Sequence, residues 1–252
     1  MALRSRWVFY KTKLERKNMR VAIVALGPSG LSYARIAEGL GYWRTLYDQV
    51  YLINGFVNVF WPPDGSAIGF AMDDVRIQEA RAKAGNKKIG YLLESYKKHP
   101  GPIFTSREHP DYPALKAFPL EDVINSCGRD YFNNTVAYAI AYAIHQRVSG
   151  IDMYGADYTY KNRHVAEAGR ACCEYWLGVA TARGIKVGIS KQSQLLDANE
   201  PKVLYGYDTQ DVIRKKDKNG YVYVEFKDKE IIPTGEEIEQ RYFKGDGSKV
   251  AA

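Results

Sequence analysis

The ten residues VAIVALGPSG at positions 21–30 constrain the fold more than any other stretch of this chain. Residues 21–25 are apolar without alternation and include two valines and an isoleucine, and a strand that does not alternate has to be covered on both faces. Gly27, Pro28, Ser29 and Gly30 then make a turn, and residues 31–40 have the spacing of a helix. The same order recurs further on. Short apolar runs at 50–54, 67–72, 102–105, 151–154 and 185–189 end at Gly55, Asp73-Asp74, Ser106, Gly155 and Ser190. Helical stretches at 75–98 (interrupted near Gly85), 136–147 and 163–183 lie between them. Asn133, Asn134 and Thr135 supply a cap for the second of these, and Gly184 suits the left-handed position after the third. Alternation of this kind predicts an α/β fold, Rossmann-like and doubly wound, on a mainly parallel sheet.

The pattern changes after about residue 190. Residues 221–226 follow Lys218-Asn219-Gly220 and predict a small C-terminal β-hairpin with 211–215 as the partner strand, and 244–249 read as a loose tail. The expected organisation is a basic arm at 1–19, a nucleotide-binding core at 20–198 and an appendage at 199–252.

Hydrophobic residues at 46% and charged residues at 26% give a chain of 252 residues enough apolar surface for a core. Cys127, Cys172 and Cys173 have no metal-ligand or disulfide-framework spacing. With no long apolar run and no signal-like start, the expectation is a cytoplasmic protein without membrane contact, in the host cytoplasm if phage-encoded. The net charge of +7 is concentrated: Arg4, Arg6, Lys11, Lys13, Arg16, Lys17 and Arg20 against Glu15 leave +6 in the first twenty residues. That segment reads as a solvated arm, as residues upstream of a start at Met19, or as a contact for DNA phosphates.

In open α/β sheets ligands gather beyond the carboxyl ends of the strands, where helix N-termini offer unpaired N–H groups to phosphate. Gly27, Pro28, Ser29, Gly30, Asn54, Asn134 and Thr135 stand at such ends. Ser29 either touches a phosphate or caps its own helix. Asp73 and Asp74 either hold a divalent ion or cap the following helix.

Taken in order, VAIVALGPSG, Ile53-Asn54, the helix after Asn134-Thr135, Gly155-Ala156-Asp157-Tyr158 and the run at 184–189 resemble the bacterial CMP-sialic-acid sialyltransferases and the related motility-accessory-factor and 6-hydroxymethylpterin diphosphokinase group. The resemblance spans about residues 20–198, and the chain also resembles proteins common in bacteriophages. It implies that the first loop, Asn54 and Asn134-Thr135 hold a nucleotide, that Tyr158 and Tyr160 face phosphate, and that His164, ahead of the last core helix, is the general base, with Asp157 the next carboxylate base to consider. Leu26 stands where that family has Asn, its Thr-Ser-Gly is absent, and the tyrosine register is shifted by about one residue. An imidazole can accept a hydroxyl proton near neutral pH, but a first-turn histidine is also often just exposed.

The resemblance implies a glycosyltransferase-like enzyme that moves a sugar from a nucleotide-sugar donor to a hydroxyl, with a modified DNA base as one acceptor. ATP-dependent diphosphate transfer with Mg2+ on Asp73 and Asp74 is the alternative enzyme, and a non-catalytic nucleotide-binding accessory protein is the third reading. All three accommodate a homo-oligomer.

Overall fold

A computed structural model of the chain describes residues 18–39, 41, 46–62, 65–159, 161–199, 204–207, 209–219 and 222–243. The arm up to Lys17, Tyr160 and the 244–249 tail lie outside the described residues. Contacts divide the chain into two compact units, Met1–Glu200 and Pro201–Ala252.

The first unit runs β1 (Arg20–Val24), α1 (Pro28–Gly39), β2 (Gln49–Ile53), a 3-10 turn (Asn54–Asn58), β3 (Ala67–Phe70), α2 (Val75–Lys83), α3 (Lys87–Lys98), β4 (Ile103–Thr105), β5 (Leu115–Ala117), α4 (Leu120–Cys127), α5 (Thr135–His145), β6 (Gly150–Tyr154), α6 (Arg163–Ala182) and β7 (Lys186–Ile189). Its strands form one parallel seven-stranded sheet in the order β5-β4-β3-β2-β1-β6-β7. The chain therefore builds outward from β1 to β5 and returns to lay β6 on the other side of β1. That reversal is a topological switch point, where the connections on either side diverge and leave a crevice.

The non-alternating runs are explained by a sheet buried on both faces. Val21 and Ile23 of β1, Tyr51 and Ile53 of β2 and Ile151 and Met153 of β6 join the core under α4, α5 and α6. Ala22 and Val24 of β1 and Val50 and Leu52 of β2 face the opposite core, with Tyr33, Ala34 and Ala37 of α1 and Leu93 and Tyr96 of α3. Ala137, Ala139, Ala141 and Ala143 are all fully buried in α5, which lies across β1, β2 and β3. Small side chains let the helix axis approach the sheet closely enough to fill this layer. Trp176 of α6 is also fully buried, stacked on Phe132 at 5.1 Å, and its indole Nε1 donates to the Tyr131 carbonyl at 2.7 Å. This fastens α6 to the segment that leads into α5.

The caps follow the sequence closely. Asn134 is the N-cap of α5, its side chain accepting from the Ala137 amide at 3.0 Å, and Gly184 follows α6 with φ +71°. Arg163–Glu167 and Arg170–Glu174 form the pairs that helical spacing allows. Two elements had no prediction, the edge strand β5 and α4. Three residues give no periodicity to read, while Leu120, Val123 and Cys127 do carry a helical i, i+3, i+7 stripe.

In the second unit β8 (Gln210–Lys216) pairs antiparallel with β9 (Val222–Asp228), Val212 opposite Phe226 and Arg214 opposite Val224. A further helix, α7 (Gly235–Phe243), follows. Its Thr234 and Glu237 form a reciprocal capping box: the Glu237 amide donates to Thr234 Oγ1 at 3.2 Å and the Thr234 amide to Glu237 Oε2 at 2.8 Å. The Thr-x-x-Glu spacing announces this helix in the sequence.

Candidate functional site

At the switch point the ends of β1 and β6 run side by side and stay joined after the strands stop. The Ala25 amide donates to the Tyr154 carbonyl and the Gly27 amide to the Gly155 carbonyl, both at 2.8 Å. Gly155 has φ +69°, and a Cβ there would lie 1.9 Å from the Ala25 carbonyl oxygen. Only glycine allows the two loops this close.

Asp157 and Ser29 lock that contact. Both are 2% exposed, and the Asp157 carboxylate accepts from the Ser29 amide at 2.9 Å and from Ser29 Oγ at 2.6 Å. The Ser29 hydroxyl in turn accepts from the Gly155 amide at 2.5 Å. The positive N-terminus of α1, the place expected for a ligand phosphate, is thus occupied by an internal carboxylate. This corrects the roles expected of three residues. Ser29 neither faces the crevice nor caps its own helix, because its oxygen is used between the loops. Asp157, which also lines the cavity, has its carboxylate on Ser29, so it serves as a structural tie between the loops. Gly30 lies behind the loop, where a Cβ would sit 2.0 Å from the Ala25 carbonyl oxygen. Gly27 has a similar constraint, since its Cβ would lie 2.6 Å from Asp157 Oδ2.

Above the tie opens a cavity of about 450 Å3, lined by Leu26, Gly27 and Pro28 after β1, Ile53 and Asn54 after β2, Asn134, Thr135 and Val136 at the start of α5, and the segment from Gly155 to Thr159 after β6. Of the expected binding residues, Gly27, Pro28, Asn54, Asn134, Thr135 and Tyr158 meet here. Thr135 and Val136 begin α5, and the first amides of a helix have no intrahelical acceptor. With α1 closed by Asp157, α5 is the helix end directed at the cavity. No lysine or arginine lines it among the described residues.

The wall is braced from behind by Cys173, for which the sequence suggested no role. Tyr158 has φ +52°, and its hydroxyl lies 2.9 Å from the Cys173 thiol of α6. Cys173 Sγ donates to Asn134 Oδ1 at 3.5 Å, and burial pushes this thiol up to about 12. The phenol is turned into the protein, so Tyr158 offers its ring and backbone to the cavity. Asn54, also left-handed at φ +52°, keeps its Oδ1 buried without a hydrogen-bond partner, as is Thr105 Oγ1 beneath it, and both line a small void shared with Asp73.

The remaining expected residues fall elsewhere. His164 is exposed on the first turn of α6 and is not part of the cavity wall. Asp74 is the N-cap of α2, accepting from the Arg76 amide at 3.0 Å, and pairs with the guanidinium groups of Arg76 at 2.8 Å and Arg107 at 3.5 Å. A carboxylate neutralised twice is a poor metal ligand, and this leaves Asp73 without the partner a paired-carboxylate site requires. No family model matches the sequence, and no curated protein matches it.

Ser29→Ala and Asp157→Asn are each expected to cost about 1–3 kcal/mol, because each strands a buried partner. The double variant should show a coupling of at least about 0.5 kcal/mol in urea denaturation; strictly additive losses would contradict the tie.

Asp74 yields a pH prediction. Hydrogen bonds from the Arg76 side chain, then its amide, hold the carboxyl down from 3.8 to about 2. A carboxyl depressed in the folded state stabilises above its unfolded value and loses that contribution as pH falls toward its folded one. The melting-temperature difference between wild type and Asp74→Asn should therefore be constant above about pH 5 and shrink between about pH 4 and 2. A difference independent of pH over that window would refute it.

Proposed function

We propose that this chain binds a nucleotide-activated sugar in the switch-point cavity and transfers the sugar to a hydroxyl acceptor. The observation that carries the reading is the cavity itself, bounded by the ends of β1, β2 and β6 and by the N-terminus of α5. Ligand pockets run from about 300 to 1,000 Å3, and this one suits a nucleoside with a phosphate. Leu26, Ile53 and Val136 offer apolar surface to a base and ribose, while Asn54, Asn134, Thr135 and Thr159 offer hydrogen bonds. A helix N-terminus without a neighbouring cation fits one phosphate better than three. That favours a nucleoside-monophosphate donor over ATP. The pairing of Asp74 with two arginines weighs against the diphosphokinase alternative, which depends on it for Mg2+.

In this reading the tie between Ser29 and Asp157 sets the cavity floor, and α5 steadies the phosphate that departs with the nucleotide. His164, exposed on the first turn of α6, takes the acceptor proton. The acceptor is a hydroxyl of a sugar or of a modified DNA base, with the basic arm as the DNA contact. The exposed position of His164 gives the non-catalytic reading its one specific support, and activity separates the two.

Isothermal titration with nucleoside mono-, di- and triphosphates and nucleotide sugars tests the binding. Wild type should bind monophosphates and nucleotide sugars. Leu26→Glu, placed on the cavity rim at a residue 56% exposed, should leave the fold intact and weaken anionic ligands about tenfold or more. Equal affinity in the variant would remove the cavity from the reading.

His164→Ala tests the chemistry separately. It should bind the donor as wild type does, while transfer falls roughly 100- to 10,000-fold. A folded variant with wild-type turnover would eliminate this base, and a wild type that binds nucleotide but never consumes a donor would establish the non-catalytic reading.

A further inference from the structure

We propose that Glu79, His109 and Asp111 form a binding site for a divalent first-row transition-metal ion, separate from the nucleotide cavity. Glu79 lies on α2, and His109 and Asp111 lie in the connection between β4 and β5. One ligand atom from each comes within 4.8 Å of the others. An imidazole nitrogen with two carboxylate oxygens is a donor set of intermediate hardness, suited to zinc, manganese or iron and poorly suited to magnesium or calcium, which prefer oxygen alone.

The surroundings support a metal at this place. Two like-charged carboxylates are drawn together from different segments, and the Lys97 ammonium, bonded to Glu94 at 2.6 Å, acts on both only through space. Tyr112, 4% exposed, donates its hydroxyl to Glu79 Oε1 at 3.0 Å. This is the kind of outer hydrogen bond that orients a ligating carboxylate and leaves its second oxygen for the ion. The imidazole is placed as well: its ring rests against Tyr112 at 5.1 Å, and Nδ1, 3.9 Å from Asp111 Oδ2, would exchange its long 3.3 Å bond from the Asp111 amide for the ion. The His109 side chain is 19% exposed and that of Asp111 72%, so an ion has a path in and a coordination position open to water.

The topology gives the site a purpose. β4 and β5 are parallel neighbours, yet the connection between them is short and contains no helix, whereas parallel crossovers ordinarily use a dozen or more residues with a helix to hold them on the sheet. Polar contacts to α2 take that place here, Arg107 on Asp74 at one end and Tyr112 on Glu79 at the other. An ion on Glu79, His109 and Asp111 would complete the clamp and fasten the edge of the sheet.

The test is titration of the full chain, first stripped with a chelator, with Zn2+ followed by calorimetry and with Co2+ followed by visible absorption. One saturable equivalent is expected, with Mg2+ at least about a hundredfold weaker, together with a rise in melting temperature on adding Zn2+. His109→Ala should abolish binding, and Tyr112→Phe should weaken it about 10- to 100-fold. If His109→Ala does not fold, the exposed Asp111→Asn decides, since it should weaken binding at least about tenfold with the fold retained. Binding that survives in His109→Ala, wild-type affinity in Asp111→Asn, Co2+ spectra with thiolate bands that place the ion on cysteine, or no saturable equivalent in wild type would each overturn the site.

Discussion

The carboxylate of Asp157 sits at the N-terminus of α1, the position where loops of this kind commonly meet a phosphate. It accepts from the Ser29 amide and hydroxyl, and that hydroxyl accepts from the Gly155 amide. An unpartnered carboxylate this deeply buried would be strongly destabilising; satisfied by two donors and a helix end, it becomes the fixed point of the crevice. The backbone bonds from Ala25 and Gly27 to the other loop, the close approach at Gly155 and the absence of a side chain at Gly27 all depend on it. Closing one helix end in this way leaves the N-terminus of α5 as the helix end that opens on the cavity.

The sheet supports this arrangement through burial on both faces. Helices α1 to α3 cover one side and α4 to α6 the other, so β1 and β6 cannot shift register without exchanging the side chains packed in the two cores. Rigidity of that kind suits a cavity whose walls come from three strand ends and one helix. The bracing continues behind the wall, where Tyr158, Cys173 and Asn134 join the loop after β6 to the cap of α5. A change in Cys173 would thus reach the cavity without touching a ligand.

Charge is distributed by the same logic. Among the described residues no lysine or arginine lines the cavity, while Arg76 and Arg107 pair with Asp74, and Arg170 with Glu174 and Asp197. What the cavity offers an anion is the end of α5, a fixed dipole already oriented before a ligand arrives. The cluster of Glu79, His109 and Asp111 lies on the other side of this division, with carboxylates drawn together where a cation would be the natural partner.

Local order was legible along the chain because hydrophobic period and caps act over a few residues. The run at 21–25, the Asn134 cap and Gly184 all served as they read, and even the unnoticed Thr234-x-x-Glu237 box was there to be found. The sequence by itself determined that parallel strands alternate with helices and that glycine-rich and polar loops gather at their carboxyl ends. Only the tertiary structure decided which of those residues line the cavity. Ser29 and Asp157 are 128 residues apart, and no local rule joins them, yet their contact ties the two loops that meet at the switch point. Asp74 caps α2, one of the two roles its position allowed, and Arg107, from another strand's end, pairs with it. Hydrogen bonds and ion pairs depend on distance and direction in space, and the chain sets these only once the sheet has brought its loops together.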